Sequence, residues 1–163
     1  MGYVQARVRL LKEQYSALRQ KEFTTAASPY ECYLPMKDGV SLRTVIYKPV
    51  EGGPFPTILM RSCYPADESI YQTHGLEYSK RGFAFVYQYC RGTGGSEGKW
   101  TPNIHERDDG YCTLQWMEEQ PWIDCIGYYG CSYLALTGWA IADIATDKVK
   151  TLYLTHYGTD LFV

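Results

Sequence analysis

One serine in this chain stands where acyl-transfer chemistry could be done. The run CIGYYG, residues 125–130, reads as a short strand and SYLALTGWA as the start of a helix, and Gly130-Cys131-Ser132-Tyr133 turns one into the other. This is the layout of a nucleophile elbow, in which a tight turn lifts a serine Oγ above a sheet while the next backbone N–H, here that of Tyr133, faces the incipient oxyanion. A small residue is needed two before the serine because strand and helix backbones approach closely there, and Gly130 supplies it. The strict G-x-S-x-G pattern is not met, since Leu134 occupies the last glycine position and Ala135 follows one later. A cap is the other reading: serine at a helix start accepts a bond from a first-turn N–H.

The remaining chemistry-bearing residues point elsewhere or nowhere. RGTGGSEGK looks like a phosphate cradle but fails the G-x-x-x-x-G-K-[ST] pattern, because Thr93 stands five before Gly98 and Trp100 follows Lys99; a dinucleotide fingerprint from Gly92 fails at Glu97. It reads as a tight structural loop that brings backbone close to the elbow. His74, His105 and His156 lie outside any H-E-x-x-H pattern, so no metal is expected. His156 falls inside an expected strand, and Asp108 and Asp109 suit a helix N-terminus without a catalytic role. The six cysteines, at 32, 63, 90, 112, 125 and 131, make no C-x-x-C pair, which argues against zinc ribbons and redox dithiols. No cofactor is called for.

The elements that must position these residues follow from periodicity. Val4, Val8, Leu11, Tyr15 and Leu18 form one apolar stripe on an amphipathic helix over residues 3–22, followed by the linker FTTAASPY. ECYLPM and SLRTVIYKP alternate about Asp38-Gly39 as a β-hairpin. TILMRSCY and FAFVYQYC are near-continuous apolar strands separated by the helix SIYQTHGLEYSKRG. HERDDGYCTLQWMEEQ and SYLALTGWAIADIA then flank the CIGYYG strand, and VKTLYLTHY is the last strand. A hairpin followed by three βα repeats predicts an α/β fold: a mostly parallel sheet with an N-terminal antiparallel hairpin and helices on both faces. Residues 1–28 read as helix and linker, and 29–163 as the catalytic portion.

Composition agrees and narrows the partners. With 163 residues, 45% hydrophobic and 21% charged, and a formal charge of −2, the chain is expected to fold as one domain, and its charge balance gives no electrostatic reason to expect nucleic acid or an anionic membrane as partner. No stretch approaches the length of a membrane span and the first twenty residues lack a signal-type apolar core, so a soluble cytoplasmic protein with free thiols is expected.

Five ordered blocks now carry a resemblance. KDGVSLRTVIYKP, GPFPTILMRSCY, RGTGGSEG, DGYCTLQWMEEQPW and GYYGCSYLALTGW resemble, in order and spacing, the CocE/NonD hydrolases, the α/β-hydrolase group that includes cocaine esterase and the X-prolyl dipeptidyl peptidases. The resemblance spans about residues 31–158 and implies Ser132 as nucleophile, Tyr133 as backbone N–H donor, and Tyr64, at the end of Arg61-Ser62-Cys63-Tyr64, as the hydroxyl completing the oxyanion hole. Ala135 stands where many relatives have glycine, and Tyr89 where several have aspartate. The family order is Ser, then Asp or Glu, then His. After Ser132 this sequence has His156 and then Asp160, the wrong order. The resemblance therefore implies an incomplete α/β-hydrolase fold lacking the helical cap and the C-terminal β-sandwich. Its implied substrates are a small ester or amide or an X-Pro peptide, and its implied partners the missing C-terminal polypeptide or a second copy. The alternative is a non-catalytic fragment or binding module.

Overall fold

Strand side chains point alternately to opposite faces of a sheet, and this chain uses both faces as core. Val45, Met60, Phe85 and Tyr87 gather on one side while their neighbours Ile46, Leu59 and Val86 gather on the other. The computed structural model describes residues 2–18, 24–64 and 68–157. Among them the sheet has six strands, β1 (Tyr30–Pro35), β2 (Ser41–Tyr47), β3 (Phe55–Ser62), β4 (Ala84–Tyr89), β5 (Ile123–Cys131) and β6 (Val149–Thr155), in the order β1-β2-β4-β3-β5-β6. The pairs β1/β2 and β2/β4 are antiparallel, and β4, β3, β5 and β6 run parallel. The hairpin turns at Gly39, whose φ of 84° is the conformation that Asp-Gly favours. This is the expected α/β architecture.

Among the described residues there are four α-helices, three of which cover the sheet. α2 (Glu68–Ser79) lays Tyr71, Leu76 and Tyr78 against the Val45–Phe85 side, and α1 (Tyr3–Ser16) docks on α2 through Tyr15, which meets His74 and Tyr78 edge-on. α3 (Glu106–Glu118) buries Leu114 and Met117 on the opposite face, beside Ile141, which follows α4 (Tyr133–Trp139). All six cysteines are free. Among the described residues no helix is long and apolar enough to cross a membrane.

Three boundaries differ from expectation. α1 ends at Ser16, leaving Leu18 exposed beyond it, and the stretch expected to continue through residues 19–22 lies outside the described residues. α4 is seven residues long, because Gly138 is pressed against Leu154 and Tyr128 and the chain then dives to bury Ile141; Ala142–Ile144 forms a separate 3-10 turn. β6 stops at Thr155, so His156 is not a strand residue: with φ of 58° it turns the chain off the sheet. Asp160 lies outside the described residues.

Candidate active site

The carboxyl ends of the parallel strands β3 and β5, which are neighbours, bring two short segments together. After β5 the chain enters α4 through Ser132, whose φ of 60° and ψ of −129° are strained for a non-glycine residue. Gly130 makes this turn possible: a Cβ there would stand 2.2 Å from the carbonyl oxygen of Leu134, so strand and helix touch backbone to backbone. Ala135, fully buried, is tolerated one turn on, and its N–H donates to the Ser132 carbonyl at 2.8 Å. Ser132 has no side-chain cap bond, so the capping reading is not what the geometry shows.

From β3 the chain arrives through Ser62, whose Oγ accepts the N–H of Tyr64 at 3.2 Å and bends the segment over the sheet edge. The Tyr64 hydroxyl then lies 3.0 Å from Ser132 Oγ and accepts the Tyr133 N–H at 3.4 Å. Ser132, Tyr64 and Tyr133, named from the sequence, thus converge on one point at the exposed edge. A hydroxyl beside the serine oxygen and a backbone N–H directed at that same hydroxyl are two donors suited to hold negative charge developing on a carbonyl attacked there.

Beneath this point lies a buried polar network with no counterpart in the sequence reading. The Tyr133 hydroxyl donates to Glu106 Oε1 at 2.9 Å and accepts the Asn103 N–H at 3.0 Å, with the Trp100 ring edge-on to its own. Burial raises the Tyr133 phenol above its ordinary range, so it stays a donor. Glu106 in turn faces Arg61, fully buried in β3, at 3.3 Å, while Arg61 Nη1 donates to the Glu106 carbonyl and Nε to Gln88. One ion pair therefore underlies both segments, since Arg61 precedes Ser62-Cys63-Tyr64 and Glu106 holds Tyr133. The available signal was Arg61 itself, a lone cation in an apolar strand, which demands a buried carboxylate.

The other candidates are placed apart. The glycine loop folds over the hairpin rather than the elbow: Glu97 takes the Ser41 N–H, and Gly95 abuts Arg43. Trp100, Asn103 and Glu106, beyond the loop, reach Tyr133. Asp109 is no mere helix-start charge, because it is buried and grips Arg91 with both carboxylate oxygens, at 2.6 and 3.1 Å. His74 accepts or donates a 2.6 Å bond with Tyr15 inside the α1–α2 contact, and His105 precedes α3. His156 Nδ1 lies 3.6 Å from the Cys131 thiol. Among the described residues the hydrogen bond to Ser132 Oγ comes from Tyr64, and no imidazole or carboxylate makes one.

The chain is similar to known proteins along most of its length. It is 35% identical over 134 residues to the cocaine esterase of Rhodococcus sp. strain MB1 Bresler, covering 79% of this chain and 23% of that protein. Among solved structures it superposes on an aminopeptidase from a marine sediment Thaumarchaeota archaeon with a TM-score of 0.64 at 23% identity, covering 83% of this chain and 26% of the other. An α-amino acid ester hydrolase gives a TM-score of 0.63 at 22% identity, with 83% and 27% covered. A CocE/NonD family hydrolase from Staphylococcus aureus gives 0.61 at 23%, with 75% and 26% covered. The chain thus spans about a quarter of the length of these relatives, and the structural likenesses establish an α/β-hydrolase fold. The model of the X-Pro dipeptidyl-peptidase (S15) family matches residues 38–163, and the chain belongs to that family of serine-type hydrolases.

Proposed function

We propose that this chain carries the nucleophile half of a serine hydrolase acting on an ester, an amide or an X-Pro peptide bond. Ser132 Oγ attacks the carbonyl carbon, and the carbonyl oxygen, as it becomes an oxyanion, is held by the Tyr64 hydroxyl and the Tyr133 N–H. The observation that carries this reading is the 3.0 Å approach of the Tyr64 hydroxyl to Ser132 Oγ at a strained turn. Serine is a weak nucleophile until a base takes its proton. With no imidazole bonded to Ser132 Oγ among the described residues, the acid and base belong to polypeptide beyond this segment, consistent with the far greater length of the relatives.

The test is labelling of Ser132 by a fluorophosphonate. The 163-residue chain alone is expected to label negligibly and to hydrolyse an activated ester at a rate unchanged by Ser132→Ala, and both activities should appear when the downstream polypeptide is supplied. Labelling of the supplemented chain at another residue, or none at all, overturns the assignment. That no imidazole meets Ser132 Oγ among the described residues also favours a second reading, a hydrolase-fold module that binds without catalysis; it predicts that supplementation restores nothing.

A further inference from the structure

The elbow holds a second nucleophile that this reaction leaves unused. Cys131 is the last residue of β5, and its Sγ lies 3.6 Å from His156 Nδ1. The two are held together by the joint between the strand ends, where the Ser132 N–H donates to the Thr155 carbonyl at 3.0 Å. On either side of that joint stands a non-glycine residue in the left-handed region, Ser132 at φ 60° and His156 at φ 58°. Such conformations cost on the order of 1–3 kcal/mol each and collect at functional sites. Here the His156 turn is what carries its ring back to the neighbouring strand.

The other five thiols are differently placed. Cys63 and Cys90 are buried, which pushes Cys63 up to about 11 and Cys90 well above the ordinary thiol range. Burial also raises Cys32 and Cys125. Cys112 is packed against the Leu34, Met36 and Leu42 cluster. Among the described residues, Cys131 is the thiol with an imidazole in hydrogen-bond reach.

We propose that Cys131 and His156 form a reactive thiol–imidazole pair, a modification site for soft electrophiles and low-molecular-weight disulfides one residue from Ser132. Cys131 sulfur attacks one sulfur of the reagent, the new S–S bond forms as the old one breaks, the thiol proton passes to His156 Nδ1, and the second sulfur leaves as a thiolate that takes up a proton. The imidazole must carry its own proton on Nε2 for this. Nothing in this inference depends on Ser132 acting as a nucleophile.

The native 163-residue chain is treated with an aryl disulfide, and separately with glutathione disulfide, and the modified cysteines are located by peptide mapping. One thiol should react in a fast phase and map to Cys131. Cys131→Ser should abolish that phase, and His156→Gln should slow it by about tenfold or more while leaving Cys112 unchanged. A fast phase that maps elsewhere in the unaltered chain, or persists in Cys131→Ser, overturns the proposal. So does a rate at Cys131 indifferent to His156→Gln. Misfolding of that variant would show as rapid reaction of Cys63 and Cys90; His156→Asn, which keeps a polar atom near the Nδ1 position but no strong base, then takes its place with the same expected slowing.

Discussion

A fully buried arginine is the residue on which this site rests. Arg61 has Glu106 as its counter-charge, and removing one partner of a buried pair leaves an uncompensated charge in the interior. Glu106→Ala is therefore expected to destabilise the chain by about 3–5 kcal/mol, seen as a lower urea midpoint at unchanged slope. The double variant Arg61→Met, Glu106→Leu should recover most of that loss, because an apolar pair of similar volume avoids the desolvation cost. A double variant as unstable as Glu106→Ala alone would mean the network matters through its other bonds, to Gln88 and Tyr133. Legibility at this scale was uneven. Ser132 and Gly130 were readable because the turn is local, whereas Glu106 lies 45 residues from Arg61 and meets it only once α3 docks beside β3. The expectation that His156 sits in a strand rested on the apolar run before it. What ends that strand is the turn of His156 itself to φ 58°, just after the bond from Ser132 to Thr155, and no local pattern announces it.

Two elements are held so closely that a single atom decides them. A methyl at Gly130 would meet the backbone of Leu134 and Ala135 rather than a flexible side chain, so it cannot be absorbed by a rotamer change. Gly130→Ala should cost about 1–3 kcal/mol, and more if the turn cannot relax. It should also move Ser132 away from Tyr64, checked by thermal unfolding and by loss of labelling in the supplemented enzyme. The α1–α2 contact has a different sensitivity. His74 is pushed down to about 4 by burial first and then by the charge of Arg7, while Tyr15 bonds its Nδ1 and Tyr78 stacks on it. Because the folded value lies below the unfolded one, near 6.5, this contribution is complete above pH 6.5. It is lost as pH falls toward 4, where the unfolded chain binds the proton more readily. At most about 3 kcal/mol is at stake. His74→Gln should flatten the stability profile between these limits, and an unchanged slope would assign the effect to other groups. The strands were legible element by element because both faces are core. The short α4 was not, since its end is set by Gly138 packing on Leu154 and Tyr128 from other strands.

At the scale of the whole molecule the sheet has two edges among the described residues, β1 and β6. β1 is one arm of a hairpin, but β6 is a parallel strand whose outer N–H and C=O groups have no strand partner there, and Tyr153 stands exposed upon it. Parallel strands are ordinarily covered, and an open apolar edge recruits another chain. The 163-residue chain is expected to self-associate by sedimentation and to bind an apolar dye, with both signals falling when the downstream polypeptide is supplied. A dilution-resistant monomer without dye binding would mean that the edge is already protected. The joint between Ser132 and Thr155 also has a meaning in time. A growing chain is made at roughly 5–20 residues per second, and roughly two dozen residues separate the elbow from the carbonyl that receives its N–H. For about one to five seconds of synthesis Ser132 has been made but the anchor of its turn has not. The turn at Ser132 is therefore anchored late, after the body of the sheet that carries it has been made.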